Sequence, residues 1–88
     1  MANYLFYISQ NYSFEILRPL QQVIKSQGDQ CAWYVEGHEV NLENFVDDEL
    51  RLASIEEVVE FNPAAVFVPG NVVPNFIPGL KVQVFHGL

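Results

Sequence analysis

Eighty-eight residues, half of them apolar and 14% aromatic, describe one small folded domain and exclude a globally disordered chain. Four basic residues against 11 acidic ones leave a formal charge of −7. That balance repels phosphate backbones and anionic lipid, and so excludes sequence-independent nucleic-acid binding and a polybasic membrane anchor.

A single cysteine precludes an intramolecular disulfide, no Cys/His cluster has zinc spacing, and no apolar run approaches bilayer-spanning length. The expectation is a soluble, cytoplasmic domain without a metal or cofactor of its own.

Tyr4-Leu5-Phe6-Tyr7-Ile8 is apolar throughout and rich in aromatic and β-branched residues. This predicts a strand covered on both faces, as in a parallel sheet. The polar stretch Ser9-Gln10-Asn11-Tyr12-Ser13 supplies helix N-cap candidates. Phe14, Leu17, Leu20, Val23 and Ile24 then fall on one stripe of a helical period, which predicts a helix over about 13–27. Gly28 stands where a C-cap belongs, with Lys25 in the last turn offsetting the dipole. Pro19 predicts a kink or an irregular first turn, because it lacks an amide donor.

Cys31-Ala32-Trp33-Tyr34-Val35 predicts a second strand, closed by Glu36-Gly37. Residues 38–53 carry little pattern: Leu42, Phe45 and Val46 suggest one helical turn, with Glu43, Asp47, Asp48 and Glu49 toward solvent. Ser54 and Glu57 form a capping box that opens a second helix, with Ile55, Val58 and Val59 as its apolar face. Asn62-Pro63 stops it. Ala65-Val66-Phe67-Val68 predicts a third strand ending in a Pro69-Gly70 turn. A loop holding Pro74 and Pro78 then leads to a fourth strand, Lys81-Val82-Gln83-Val84-Phe85.

The alternation of strands and helices predicts an α/β fold. Residues 1–88 read as a single Rossmann-like domain, a three-layer unit with a four-stranded parallel sheet and right-handed crossovers. The sequence ends almost directly after an apolar strand, which predicts an amino-terminal piece of a longer two-domain protein.

Open parallel sheets bind ligands at the carboxyl ends of their strands. This selects Ser9-Gln10-Asn11, Glu36-Gly37-His38, Pro69-Gly70-Asn71 and His86-Gly87. His86 is the candidate catalytic base, since an imidazole at a sheet rim can take a proton from a substrate hydroxyl. Gly87 lets backbone come close to a ligand. Asn11 and Ser13 precede the first helix, where they either hold a phosphate or serve as plain caps. Gly70 and Asn71 either shape a cleft floor or form a positive-φ turn.

His38, between Glu36 and Glu39, suits a surface salt bridge better than a general base. Cys31 reads as a small core residue, and Trp33 and Tyr34 as core or interface aromatics. Nine of the 11 acids lie between Glu36 and Glu60, opposed only by Arg51; they read as solvated helix faces rather than a metal cage. With no glycine after the first strand, the dinucleotide fingerprint and the P-loop both fail. No acidic pair follows it either, which disfavours a magnesium-dependent receiver domain.

Ile16-Leu17-Arg18-Pro19-Leu20, Val23-Ile24, Gln27-Gly28 and Trp33-Tyr34-Val35-Glu36-Gly37 resemble the opening of GT-B glycosyltransferase-like proteins. Gly79-Leu80-Lys81-Val82-Gln83-Val84-Phe85-His86-Gly87 looks like the strand carrying the histidine-glycine pair of the CDP-glycerol glycerophosphotransferase family, which builds teichoic acids and capsular phosphopolymers. The resemblance implies the acceptor-side half of a GT-B architecture. His86 would deprotonate an acceptor hydroxyl that attacks the donor's β-phosphate, with CMP leaving. It further implies a carboxyl-terminal donor-binding domain in the same protein, a CDP-glycerol-type donor and a polyol-phosphate acceptor. The setting it implies is cytoplasmic, peripheral to the inner face of the membrane.

Phosphoryl-type transfer needs positive charge that these 88 residues barely supply, so the fragment alone is expected to be inactive and the exposed sheet of a truncated unit to promote homodimerisation. Two alternatives stand beside this: a non-catalytic α/β interaction domain, and another GT-B nucleotide-sugar glycosyltransferase or epimerase.

Overall fold

The computed structural model describes residues 1–70 and 73–84. In chain order the elements are β1 (Asn3–Ile8), α1 (Ser13–Ser26), β2 (Gln30–Val35), a 3₁₀ turn (Leu42–Asn44), β3 (Arg51–Leu52), α2 (Ile55–Phe61), β4 (Ala65–Val68) and β5 (Leu80–Gln83). All neighbouring strands pair parallel in the order β3-β2-β1-β4-β5. This is the order of a Rossmann-like sheet.

The sheet has five strands rather than four. The extra one is β3, whose two residues pair with Trp33 and Tyr34. A strand that short carries no alternation to read, so it is missed within the faint 38–53 stretch.

Side chains alternate across the sheet as its pleat requires. Phe6, Ile8, Cys31 and Trp33 pack with Phe14, Leu17 and Ile24 of α1 on one face. Leu5, Tyr7, Ala32, Val66 and Val68 pack with Val58 of α2 on the other. No helix joins β4 to β5 among the described residues; Val73 and Ile77 of the intervening loop are buried in the second core and take a helix's place.

α1 differs in detail from its predicted stripe. Val23 is about half exposed and Gln21 is buried, so the inward face runs Phe14, Leu17, Gln21, Ile24 at 3, 4 and 3 spacing. The cap is a backbone one: Tyr12 occupies the N-cap without a side-chain capping hydrogen bond, and the amides of Ser13 and Phe14 donate to the carbonyls of Gln10 and Asn11. The helix runs through Pro19 without a break in assignment. Pro19 and Glu15, whose carbonyl the ring leaves unbonded, are both exposed, so water can satisfy that group.

The carboxyl end follows the prediction. Gly28 takes φ +83°, with its amide bonded to Lys25 and that of Asp29 to Ile24, a Schellman closure. α2 opens as predicted with Ser54 Oγ accepting from the Glu57 amide at 3.2 Å. Glu57 Oε1 accepts from the Ala53 amide at 2.7 Å, one residue before the cap.

The 36–50 crossover is fastened to α1 by a buried polar network. Glu49, expected in solvent, has a fully buried side chain. Its Oε1 accepts from Arg18 Nη2 and the Val46 amide, both at 3.0 Å. Its Oε2 accepts from Arg18 Nε at 3.0 Å and Gln21 Nε2 at 2.9 Å. Gln21 Oε1 in turn accepts from Trp33 Nε1 at 2.7 Å. Arg18 also donates to the Asn44 carbonyl and lies over the Phe14 ring. A buried carboxylate is tolerable only with its lone pairs filled in this way.

Candidate functional site

The topological switch point lies at β1, which meets β2 on one side and β4 on the other. Its carboxyl edge is formed by the loop after Ile8 and the turn after Val68. These loops approach one another: a side-chain carbon added at Gly70, which has φ +87°, would sit 3.7 Å from the Tyr12 hydroxyl. β5 reaches the same edge, where the Val84 amide donates to the Val68 carbonyl at 3.0 Å.

Of the predicted site residues, Asn11, Ser13 and Gly70 are at this edge, while Asn71, His86 and Gly87 lie outside the described residues. Asn11 is committed to the scaffold. Its Oδ1 accepts from the Asn41 amide at 2.8 Å and from Asn44 Nδ2 at 3.1 Å, and its Nδ2 donates to the Glu39 carbonyl at 3.3 Å. Those bonds tie the β1 loop to the 36–50 crossover. Ser13 is fully buried and its Oγ has no hydrogen-bond partner among the described residues. Gly70 is exposed in its turn.

Two features were not anticipated. Tyr7 is buried, stacks on Tyr34 with centroids 5.5 Å apart, and donates its phenol proton to Glu36 Oε2 at 2.7 Å. Burial, reinforced by the Glu36 hydrogen bond and by the charges of Glu36 and Tyr34, pushes the phenol well above the usual tyrosine range. The placement follows from register, since Tyr7 pairs with Tyr34 two residues before Glu36.

The second is a cavity of about 390 Å³ at the β2–β3 end, lined by Val35, Gly37, His38, Val40, Leu42 and Arg51. His38 faces this space and makes no ion pair among the described residues. Arg51 arrives there because it pairs with Trp33, on the same face as Val35. The unreadable two-residue strand hid that direction.

Cys31 is buried as expected, 3.7 Å from Gln21 Oε1, and burial raises its thiol pKa. Among the described residues no three His, Cys, Asp or Glu side chains converge as a metal cage, and no helix is long and apolar enough to cross a membrane. No family model matches the chain, and neither a curated protein nor a solved structure matches it.

Proposed function

We propose that this chain is the acceptor-side Rossmann-like domain of a transferase resembling the CDP-glycerol glycerophosphotransferases, with His86 as the general base. The observation that carries the reading is the parallel pairing of β5 with β4. It brings the chain to the ligand-binding edge at Val84, beside Val68, immediately before the sequence Phe85-His86-Gly87. An antiparallel last strand would have removed the basis for the proposal.

Charge supports a division of labour. Arg18 and Lys25 are held by Glu49 and Asp48, and Lys81 donates to the carbonyls of Ile77 and Gly79. Arg51 is left, but it borders the β2–β3 cavity in the other half of the sheet, so the cations for a donor pyrophosphate are assigned to another domain, here a carboxyl-terminal one. The whole would work at the cytoplasmic face of the membrane on a polyol-phosphate acceptor.

The test is His86→Ala in the polypeptide encoded by the intact reading frame, with glycerol phosphate transfer from CDP-glycerol as the assay. Turnover should fall by about a hundredfold or more, as for loss of a general base, while CDP-glycerol still binds. Retained turnover removes the assignment.

A docking module is the second reading. It is favoured by Phe76 and Leu80, 64% and 70% exposed, the one just before the outer strand β5 and the other its first residue. Transfer activity in the intact polypeptide, lost with His86, decides against it.

A further inference from the structure

We propose that the β2–β3 cavity is a binding site for a small oxyanion, phosphate ester or carboxylate, carrying a short aliphatic group. It lies in the half of the sheet opposite β4 and β5, and so stands or falls independently of the transferase reading.

Arg51 is the starting point. Of the four Lys and Arg side chains, three are engaged: Arg18 with Glu49, Lys25 with Asp48, and Lys81 with two carbonyls. The Arg51 side chain has neither an ion pair nor a hydrogen bond among the described residues, although the chain carries 11 carboxylates, nine of them between Glu36 and Glu60. Arg51 is exposed and borders the cavity, so its guanidinium is a solvated forked donor that an acceptor entering there can engage without displacing a carboxylate.

The surroundings complete a donor set. His38 lines the same space and adds an imidazole N–H. Gly37 and His38 follow β2, and neither amide donates to a carbonyl among the described residues. The rest of the lining, Val35, Val40 and Leu42, is apolar and offers no hydrogen-bonding side chain. Among the described residues no acid lines the cavity; of those adjacent to it in sequence, Glu36 accepts from the Tyr7 phenol at Oε2, and Glu39 and Glu43 are off the lining. A volume of about 390 Å³ lies in the range that holds a small organic ligand. A lining that mixes cationic and amide donors with three aliphatic side chains suits an amphiphilic anion better than a bare ion or a neutral alcohol.

The test is a ¹H–¹⁵N correlation titration of the chain with butyl phosphate and with pentanoate, against inorganic phosphate and n-butanol. Saturable shifts centred on Gly37, His38, Val40 and Leu42 are expected with at least one amphiphilic anion, and the tighter of the two identifies the head group. Inorganic phosphate and n-butanol should each bind at least tenfold more weakly. Arg51→Gln should weaken binding tenfold or more, the loss of a charge-assisted hydrogen bond, with Arg51→Lys in between. His38→Gln, in an exposed loop, serves as a second variant and should weaken binding less than Arg51→Gln. The proposal is overturned if neither amphiphilic anion saturates, if the shifts lie elsewhere, if Arg51→Gln binds as tightly as the parent, or if n-butanol or inorganic phosphate binds equally well.

Discussion

Replacing Glu49 with glutamine tests whether the buried network fastens the 36–50 crossover. Both carboxylate oxygens accept two donors, so the amide nitrogen of a glutamine must face a donor pair whichever way it turns. In one orientation it meets Arg18 Nη2 and the Val46 amide, in the other Arg18 Nε and Gln21 Nε2. Two hydrogen bonds are lost in either case, at least one of them charge-assisted.

A charged bond contributes about 1.5–3 kcal/mol and a neutral one about 1 kcal/mol. Arg18 is about one-third exposed, so water recovers part of its share. The expected loss is about 3 kcal/mol, a large fraction of what a domain of this size has in total. It corresponds to a fall in Tm of roughly 12–24 °C.

Urea denaturation followed by circular dichroism, with Arg18→Met and the double variant completing a cycle, measures the loss and its coupling. Acid supplies an independent arm. Burial alone would raise the Glu49 pKa, but the hydrogen bonds from Arg18, the Val46 amide and Gln21, with the Arg18 charge, outweigh it and hold the carboxyl below its usual range. The stabilisation is therefore present above the unfolded-state pKa and lost as pH falls through the lower folded one. The gap between parent and variant should narrow below about pH 4. A variant within about 0.5 kcal/mol of the parent at pH 7 refutes the account.

Two further substitutions address other parts of the fold. Gly79 has φ +103°, and a Cβ there would collide with the Pro63 carbonyl oxygen, so Gly79→Ala should cost more than about 2 kcal/mol in chemical denaturation; an unchanged midpoint would contradict the close approach of the chain before β5 to that backbone. Tyr7→Phe should cost about 1.5 kcal/mol at pH 7, the low end for a bond to a carboxylate because Glu36 is exposed, and also remove an alkaline slope. Because the native phenol keeps its proton above the ordinary value of 10.0, parent stability is intact below that pH and declines above it. Denaturation at pH 7 and pH 11 should show this decline in the parent only, and equal declines in both would exclude Tyr7 as the source.

Sequence periodicity located the long elements because their burial is large and regular. β1, β2 and β4 are apolar runs buried on both faces, and α1 and α2 carry capping signals that the backbone obeys at Ser54 and Gly28. The reading failed where polar groups are buried by mutual satisfaction. Gln21 and Glu49 look like surface residues until Arg18 and Trp33 are brought beside them, and that juxtaposition is tertiary. β3 failed for a different reason: two residues hold no period, so neither the fifth strand nor the direction of Arg51 was legible. At the candidate sites, the choice of strand ends followed from parallel-sheet topology. The engagement of Asn11 by Asn41, Asn44 and Glu39 depended on a crossover path that no local pattern encodes.

The central position of β1 has a consequence for how the chain assembles. Asn3 pairs with Gln30, but Tyr4 also pairs with Ala65, so the opening strand must wait until Ala65 is made before its second edge is occupied. With every strand parallel, no tight hairpin can seed the sheet. A nascent chain emerging from the ribosome therefore displays a bare, aromatic β-edge until β4 appears, and that interval is when a neighbouring chain could add itself instead.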